Sequence, residues 1–263
     1  MRTRMNTVLT GLSLVASFLA APSSGAEPPR TEPGVMLREG VWDGGVGSYS
    51  VPAAFTRLKP AAWPADGWSR LIVRPERIDI ESAPAPNQRP SNFLKSIAAQ
   101  LENARKASTS PQSVAPAVGG DVPDPIYLRV PGASLWQGSV TPYRFLNGTA
   151  SLRPILEHRY ELALAGKSFV FTVRNGRRGK GGSVYGDGAQ YAIEYDGNTY
   201  AYSLGEFGWD SKIIAIADLD GDGKPDFIIS VGGNNSGYEA ILLSSTAQPG
   251  RNAPTASLRS TGC

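Results

Sequence analysis

The sequence predicts a mainly β protein, built as an antiparallel sheet or sandwich with one amphipathic helix. Two observations support this fold class. Short runs rich in β-branched and aromatic residues recur between clusters of Gly, Pro and Asp, as strands separated by turns do. Only one segment, 91–107, repeats its apolar residues at helical spacing. With 263 residues, the chain is long enough for one large domain or two small ones.

The N-terminus, residues 1–26, has the pattern of a cleaved signal peptide. Arg2 and Arg4 precede an apolar stretch from Val8 to Ala21, and the small residues Ser24-Gly25-Ala26 follow it. The alternative is an uncleaved membrane anchor, but this apolar stretch is shorter than the roughly 20 residues that span a bilayer. We therefore expect a periplasmic or secreted protein that has no transmembrane segment once the signal is removed.

Charge and cysteine content narrow the possible partners and the means of stabilisation. The chain has 26 basic and 23 acidic side chains, and two of the basic ones lie in the leader, so the remainder is almost neutral. This balance gives no reason to expect a nucleic-acid partner. The one cysteine, Cys263, has no internal disulfide partner, although it could join two chains in a dimer.

The first half of the chain divides into segments of different composition. Residues 27–35 are rich in Pro and charge and predict a flexible tether. Residues 36–107 predict an N-terminal β region that ends in a helix over residues 91–107. Pro90 and Ser91 supply the start signal of this helix. Residues 108–125 are rich in Pro, Ser and Gly, which is typical of an interdomain linker or of a long loop within one domain.

The second half predicts a β domain over residues 126–245. One hairpin is expected from Tyr160 to Val173, turning at Gly166-Lys167. In the next hairpin, Asp196-Gly197 supplies the pair that suits a type I′ turn. Residues 246–263 contain few large apolar residues, so we expect an extended tail that lies over the surface.

The strongest functional signal is the segment 218–226, DLDGDGKPD, which occurs once. Acids alternate through it, and glycines allow the tight curvature that brings alternate carboxylates to one centre. Calcium takes six to eight oxygen ligands. The expected ligands are the side chains of Asp218, Asp220, Asp222 and Asp226 and the backbone carbonyl of Lys224. The alternative is a polar turn that uses Asp and Gly only for their backbone conformations.

This loop is not an EF-hand, because Ile229 stands where that motif has a bidentate Glu and because the flanking runs have strand character. From Phe207-Gly208 through DLDGDGKPD to FIISVGG, residues 207–233, the chain resembles the FG-GAP and VCBS-type calcium-binding repeat. The resemblance implies a strand that leads into a calcium loop and out into a second apolar strand. It also implies extracellular adhesion or carbohydrate-related roles, and, where repeats occur in series, a β-propeller.

Other candidate chemistry is weaker. His158 is the only histidine and is interpreted as structural, and one histidine with one terminal cysteine cannot supply a normal zinc site. Glu206 and Asp210, with Trp209 between them, are the acids that a saccharide hydrolase would use. The basic segment 174–182, RNGRRGKGG, is either a solvated hairpin tip or a contact for an acidic polymer.

Three functions are therefore compatible with the sequence. The first is an exported, non-enzymatic module whose calcium site stabilises a surface that binds carbohydrate or protein. The second is a secreted hydrolase acting on saccharide through Glu206 and Asp210. The third is an accessory protein that dimerises through Cys263.

Overall fold

Two sheets contain most of the strands in the part of the chain that the structure describes. The computed structural model describes residues 34–38, 48–50, 64–84, 125–178, 184–185, 188–203, 210–232 and 236–261. The strands, in chain order, are β1 (Gly34–Arg38), β2 (Ser48–Ser50), β3 (Trp68–Val73), β4 (Ile78–Ala83), β5 (Ile126–Arg129), β6 (Gly138–Val140), β7 (Tyr160–Leu164), β8 (Lys167–Arg174), β9 (Arg177–Arg178), β10 (Val184–Tyr185), β11 (Gln190–Tyr195), β12 (Asn198–Ser203), β13 (Asp210–Ala217), β14 (Asp226–Gly232), β15 (Ser236–Leu242), β16 (Gly250–Asn252) and β17 (Ala256–Thr261). A short 3-10 helix, Ser244–Thr246, follows β15.

The larger sheet has ten strands, in the order β13-β14-β15-β17-β1-β5-β3-β4-β6, with β2 paired to β17. The smaller sheet has five, in the order β16-β12-β11-β8-β7, and β9 pairs with β10 separately. Neighbouring strands are antiparallel except for β1 with β17 and β12 with β16, which are parallel. The predicted mainly β, antiparallel fold class is confirmed.

Strands β13, β14 and β15 are buried on both faces. One face, with Phe227 and Ile229, packs against β8, β11 and β12 of the smaller sheet. The other face, with Ile228 and Ile241, shares a second core with Leu71 and residues of β1, β4 and β5. Because both sides of that second core belong to the ten-stranded sheet, this sheet curls so that its two halves face each other. Burial on both faces also explains the uninterrupted apolar runs IIAIA in β13, FII in β14 and AIL in β15.

Both predicted hairpins are present, but the first turns at Ala165-Gly166 and not at the predicted Gly166-Lys167, because Lys167 already pairs with Leu164. Strand β7 pairs with β8, from Tyr160 opposite Phe171 to Leu164 opposite Lys167. Strand β11 pairs with β12, and Asp196 and Gly197 between them have φ angles of 48° and 72°. Two positive φ angles in a two-residue connection are the signature of the type I′ turn that Asp-Gly predicts.

The expectation that residues 246–263 lie over the surface as an extended tail is wrong. Residues Ala256–Thr261 form β17, which lies inside the larger sheet between β15 and β1. Ala256 and Leu258 are buried in the second core, at 2% and 3% exposure. Only every second side chain of a strand faces the same side of its sheet, so a strand can contribute to a core without a continuous apolar sequence.

Strands from both sides of the segment 108–125 pair in the same sheet, and residues 32–263 form one compact unit. The predicted signal peptide, residues 27–33 of the predicted tether and the helix 91–107 lie outside the described residues. Gly34 and Val35, which the predicted tether also includes, instead begin β1, where Val35 is buried. Of the predicted linker, only residue 125 is described. In the described ranges, no helix has the length and apolar character that crossing a membrane requires.

Candidate metal centre

The acidic loop connects β13 to β14 at one end of the larger sheet. Its course depends on two glycines, Gly221 with φ of 79° and Gly223 with φ of 73°, both in the left-handed region that costs other residues free energy. These two positive angles coil the chain tightly between the strand ends. As a result, alternate side chains of the loop point towards one centre.

Asp218, Asp220 and Asp222 are the three acids that converge. Each can offer one carboxylate oxygen such that these atoms all lie within 4.8 Å of one another, and all three side chains are partly buried. The loop backbone orients them: Gly221 N and Gly223 N donate to Asp218, each at 2.9 Å. A carboxylate has about four acceptor sites, so these hydrogen bonds leave sites available for a cation.

Two serines outside the loop complete the surroundings of the acids. Ser244 Oγ donates to Asp222 Oδ2 at 2.9 Å, and Ser245 Oγ donates to Asp220 Oδ2. Both serines come from the 3-10 helix that follows β15, more than twenty residues further along the chain. Neither serine was predicted from the sequence pattern of the loop. The only available signal was a polar run, SST, directly after a buried strand.

Asp226, the fourth predicted side-chain ligand, lies at the base of the loop and is fully buried. Its two carboxylate oxygens accept hydrogen bonds from Leu219 N at 2.7 Å and Ser244 N at 2.8 Å. This carboxylate therefore ties the start of the loop to the 3-10 helix. It is not a member of the close group of three, and its role as a ligand, like that of the Lys224 carbonyl, stays a prediction.

The electrostatics of the loop disfavour negative charge in the absence of a cation. Burial raises the pKa of Asp226 well above its usual range, with repulsion from Asp220 added and the two backbone donors opposing. Burial also raises the pKa of Asp220, opposed chiefly by the hydroxyl of Ser245 and reinforced by Asp222 and Asp218. A bound cation would reverse this repulsion, because it favours the ionised form of every carboxyl group around it.

Three further segments contact the loop. Trp136 N donates to Leu219 O at 2.8 Å, and the Trp136 ring covers Gly221 so closely that a Cβ there would lie 3.1 Å from it.

Two lysines and the smaller sheet also lie near the loop. Lys224 Nζ lies 4.0 Å from Asp222 Oδ2 and 5.5 Å from the centre of the Tyr195 ring. Lys167, at the β7–β8 turn, approaches Gly223. The loop thus contacts segments from both sheets.

The donor set of this loop suits a hard divalent cation. Calcium–oxygen distances are about 2.3 to 2.6 Å, so two oxygens on opposite sides of one ion are about 5 Å apart at most. The three carboxylates fall within that limit. All are oxygen donors, and none of the three is fully exposed. The group Asp218, Asp220 and Asp222 could therefore hold a metal ion.

The other candidate residues that the structure describes do not gather into a site. His158 is exposed and packs edge-on against the Tyr160 ring, with centroids 4.5 Å apart. Asp210 is the first residue of β13, whereas Glu206 and Trp209 lie outside the described residues.

The basic segment 174–182 is described up to Arg178. Arg174 pairs with Glu194 at 3.3 Å, and Arg178 donates to Leu156 O. These arginines therefore make contacts within the fold, and the rest of the tip from residue 179 to 182 is not described.

Comparison with known proteins gives no relative: no family model, no curated protein and no solved structure matches this chain.

Proposed function

We propose that this chain is an exported, non-enzymatic protein with a binding or structural role, in which calcium bound by the loop 218–226 stabilises the fold. The observation that carries the proposal is the convergence of the Asp218, Asp220 and Asp222 carboxylates to within 4.8 Å. The resemblance of residues 207–233 to the FG-GAP and VCBS-type repeat supports the choice of calcium over other cations. All of the expected ligands are oxygens, which calcium prefers.

A stabilising role follows from the contacts of the loop. Asp226 and the serines Ser244 and Ser245 connect it to the segment after β15, Trp136 connects it to the segment after β5, and Lys224 lies over Tyr195 of the smaller sheet. A cation that fixes the loop therefore also fixes its neighbours. No internal disulfide is available in this chain to do the same.

Export is consistent with this role. The N-terminal pattern of residues 1–26 predicts a signal peptide, and extracellular calcium modules work with dissociation constants of about 10⁻⁴ to 10⁻³ M. We expect an affinity in that range, because Lys224 and Lys167 place positive charge beside the acids and so weaken cation binding.

The test is a titration of the chain without residues 1–26, first stripped of metal with a chelator. We expect calorimetry to show one calcium bound, and the melting temperature to rise with calcium and fall with chelator. Ligand binding to the folded form alone stabilises by about 1 to 3 kcal/mol at several-fold to a hundred-fold excess over the dissociation constant. For a chain of this size, each kcal/mol corresponds to about 2 to 4 °C.

Two variants make the test specific. Asp220→Asn removes one of the converging carboxylates and should abolish both the binding heat and the calcium-dependent rise in melting temperature. Asp196→Asn removes a carboxylate from another Asp-Gly turn, at a residue whose φ of 48° Asn tolerates, and should leave both unchanged. If the parent protein showed neither calcium binding nor a change in melting temperature, the proposal would be rejected.

A further inference from the structure

Strands β3 and β4 carry a polar pair on the face that is otherwise apolar. Leu71 pairs with Ile80, and both are buried in the second core. On the same face, Ser69, two residues before Leu71, pairs with Ser82, two residues after Ile80. The regular pattern would continue with apolar residues there. Two hydroxyls instead end the core at this edge and face a cavity.

This cavity has a volume of about 180 Å³ and lies between the ends of β3, β4 and β5 and the segment 130–137. Leu128 and Leu135 supply an apolar part of its lining, while Ser69, Ser82, Ser134 and Gln137 supply hydroxyl and amide groups. Gln137 Nε2 donates to Leu135 O at 3.2 Å, which orients the amide. None of the described residues that line the cavity carries a charge.

The lining restricts the chemistry of a ligand. A charged ligand would lose water without gaining a counter-charge, which is costly. Hydroxyl and amide groups beside apolar side chains instead suit a molecule with hydroxyls on its edge and C–H groups on its faces. The volume is below the roughly 300 Å³ at which pockets begin to hold drug-sized ligands. We infer that this cavity binds a single ring of an uncharged saccharide, either free or at the end of a chain.

One wall of the cavity is attached to the acidic loop. Trp136 lies between the lining residues Leu135 and Gln137, and its backbone N–H bonds to Leu219 O. Its ring, at 56% exposure, lies against Gly221. Ordering of the loop therefore also orders this wall, so we expect calcium to strengthen saccharide binding. The cavity itself is separate from the metal centre.

The experiment uses the chain without residues 1–26, labelled with ¹⁵N, in calcium-containing buffer. D-glucose, D-galactose, D-mannose and N-acetyl-D-glucosamine are added one at a time to millimolar concentration, with D-galacturonic acid as the charged comparison. We expect at least one neutral sugar to shift the amide resonances of β3, β4 and 130–137. The galacturonic acid should bind more weakly than galactose.

A matched pair of variants locates the binding. Ser82→Val removes one lining hydroxyl and should weaken binding roughly three- to tenfold, which corresponds to one hydrogen bond. Ser203→Val makes the same change at an exposed strand position of the smaller sheet and should not alter it. Should Ser82→Val fail to fold, Ser134→Ala at the exposed rim takes its place, with the same weakening expected.

Three results would overturn the inference: no neutral sugar shifting these resonances, galacturonic acid binding as tightly as galactose, or unchanged affinity in the lining variant. Its failure can be told apart from failure of the calcium proposal. Saccharide binding at the cavity in a protein that ignores calcium would reject only the metal site. Calcium-dependent melting without saccharide binding would reject only the cavity.

Discussion

Asp226 shows how one residue can be recognised from sequence while its place in the structure cannot. The spacing DLDGDGKPD predicts that it belongs to the acidic loop. Its two hydrogen bonds, to Leu219 N and Ser244 N, depend on the segment after β15 returning to the base of the loop. That return is a tertiary contact, which no local pattern contains. The same holds for Ser244 and Ser245, whose hydroxyls reach Asp222 and Asp220.

Gly221 is the residue at which the loop is most sensitive to substitution. We expect Gly221→Ala to lower the free energy of unfolding by about 1 to 2 kcal/mol for its left-handed φ alone, with a further loss because the new Cβ would lie 3.1 Å from Trp136. Denaturant unfolding with chelator present measures this without the contribution of calcium.

The control is Gly148→Ala, since Gly148 has nearly the same φ, 77°, and no atom within 4 Å of an added Cβ. It should show the conformational cost only. Equal losses in the two variants would mean that the Trp136 ring moves away freely and does not hold the loop.

At the scale of elements, strands with strong local patterns were predictable and the last strand was not. The runs IIAIA and FIISV identify β13 and β14 because both faces of these strands are buried, and Asp196-Gly197 identifies its hairpin because of its backbone conformation. Strand β17 has the sequence ASLRST, in which Ala256 and Leu258 lie in the core. Its place in the sheet comes from pairing with β15 and β1, which sequence patterns do not report.

Leu258 provides the test of β17. We expect Leu258→Ala to lower the free energy of unfolding by about 2 to 5 kcal/mol, as for other large-to-small changes in a core, because Leu258 is only 3% exposed. Leu146→Ala removes the same atoms from a fully exposed side chain and should be nearly neutral. Chemical denaturation of both variants measures the difference. Similar, small losses in the two would show that this segment does lie over the surface.

At the scale of the whole molecule, the acidic loop makes stability depend on pH in a way that calcium should change. Without metal, the pKa values of Asp220 and Asp226 are raised in the folded state above the ordinary 3.8. Their contribution to stability is therefore fully present below that value and is lost as the pH rises through the raised pKa values. A bound calcium ion stabilises the ionised carboxylates of Asp220 and Asp226, which otherwise bind protons.

We therefore expect the rise in melting temperature on adding calcium to be larger at pH 7.5 than at pH 5, because fewer protons compete with the ion. Calorimetric scans with calcium and with chelator at each pH give this rise in melting temperature. Groups far from the loop titrate equally in both scans, so their effect on the melting temperature cancels. In Asp220→Asn, calcium should not raise the melting temperature at either pH. A larger calcium effect at pH 5 than at pH 7.5 in the parent protein would contradict the assignment of the site to these carboxylates.

The position of β17 in the larger sheet also affects the order in which the chain folds. It lies between β15 and β1, so in the described sheet it joins the half formed by β13 to β15 to the half formed by β1 and β3 to β6. Because this pairing brings Gly34 opposite Ala256, the two halves stay unjoined until segments from distant parts of the chain meet, and such contacts form slowly. We therefore expect the pairing of β17 with β1 to be a late step of folding, by which two separate half-sheets become one.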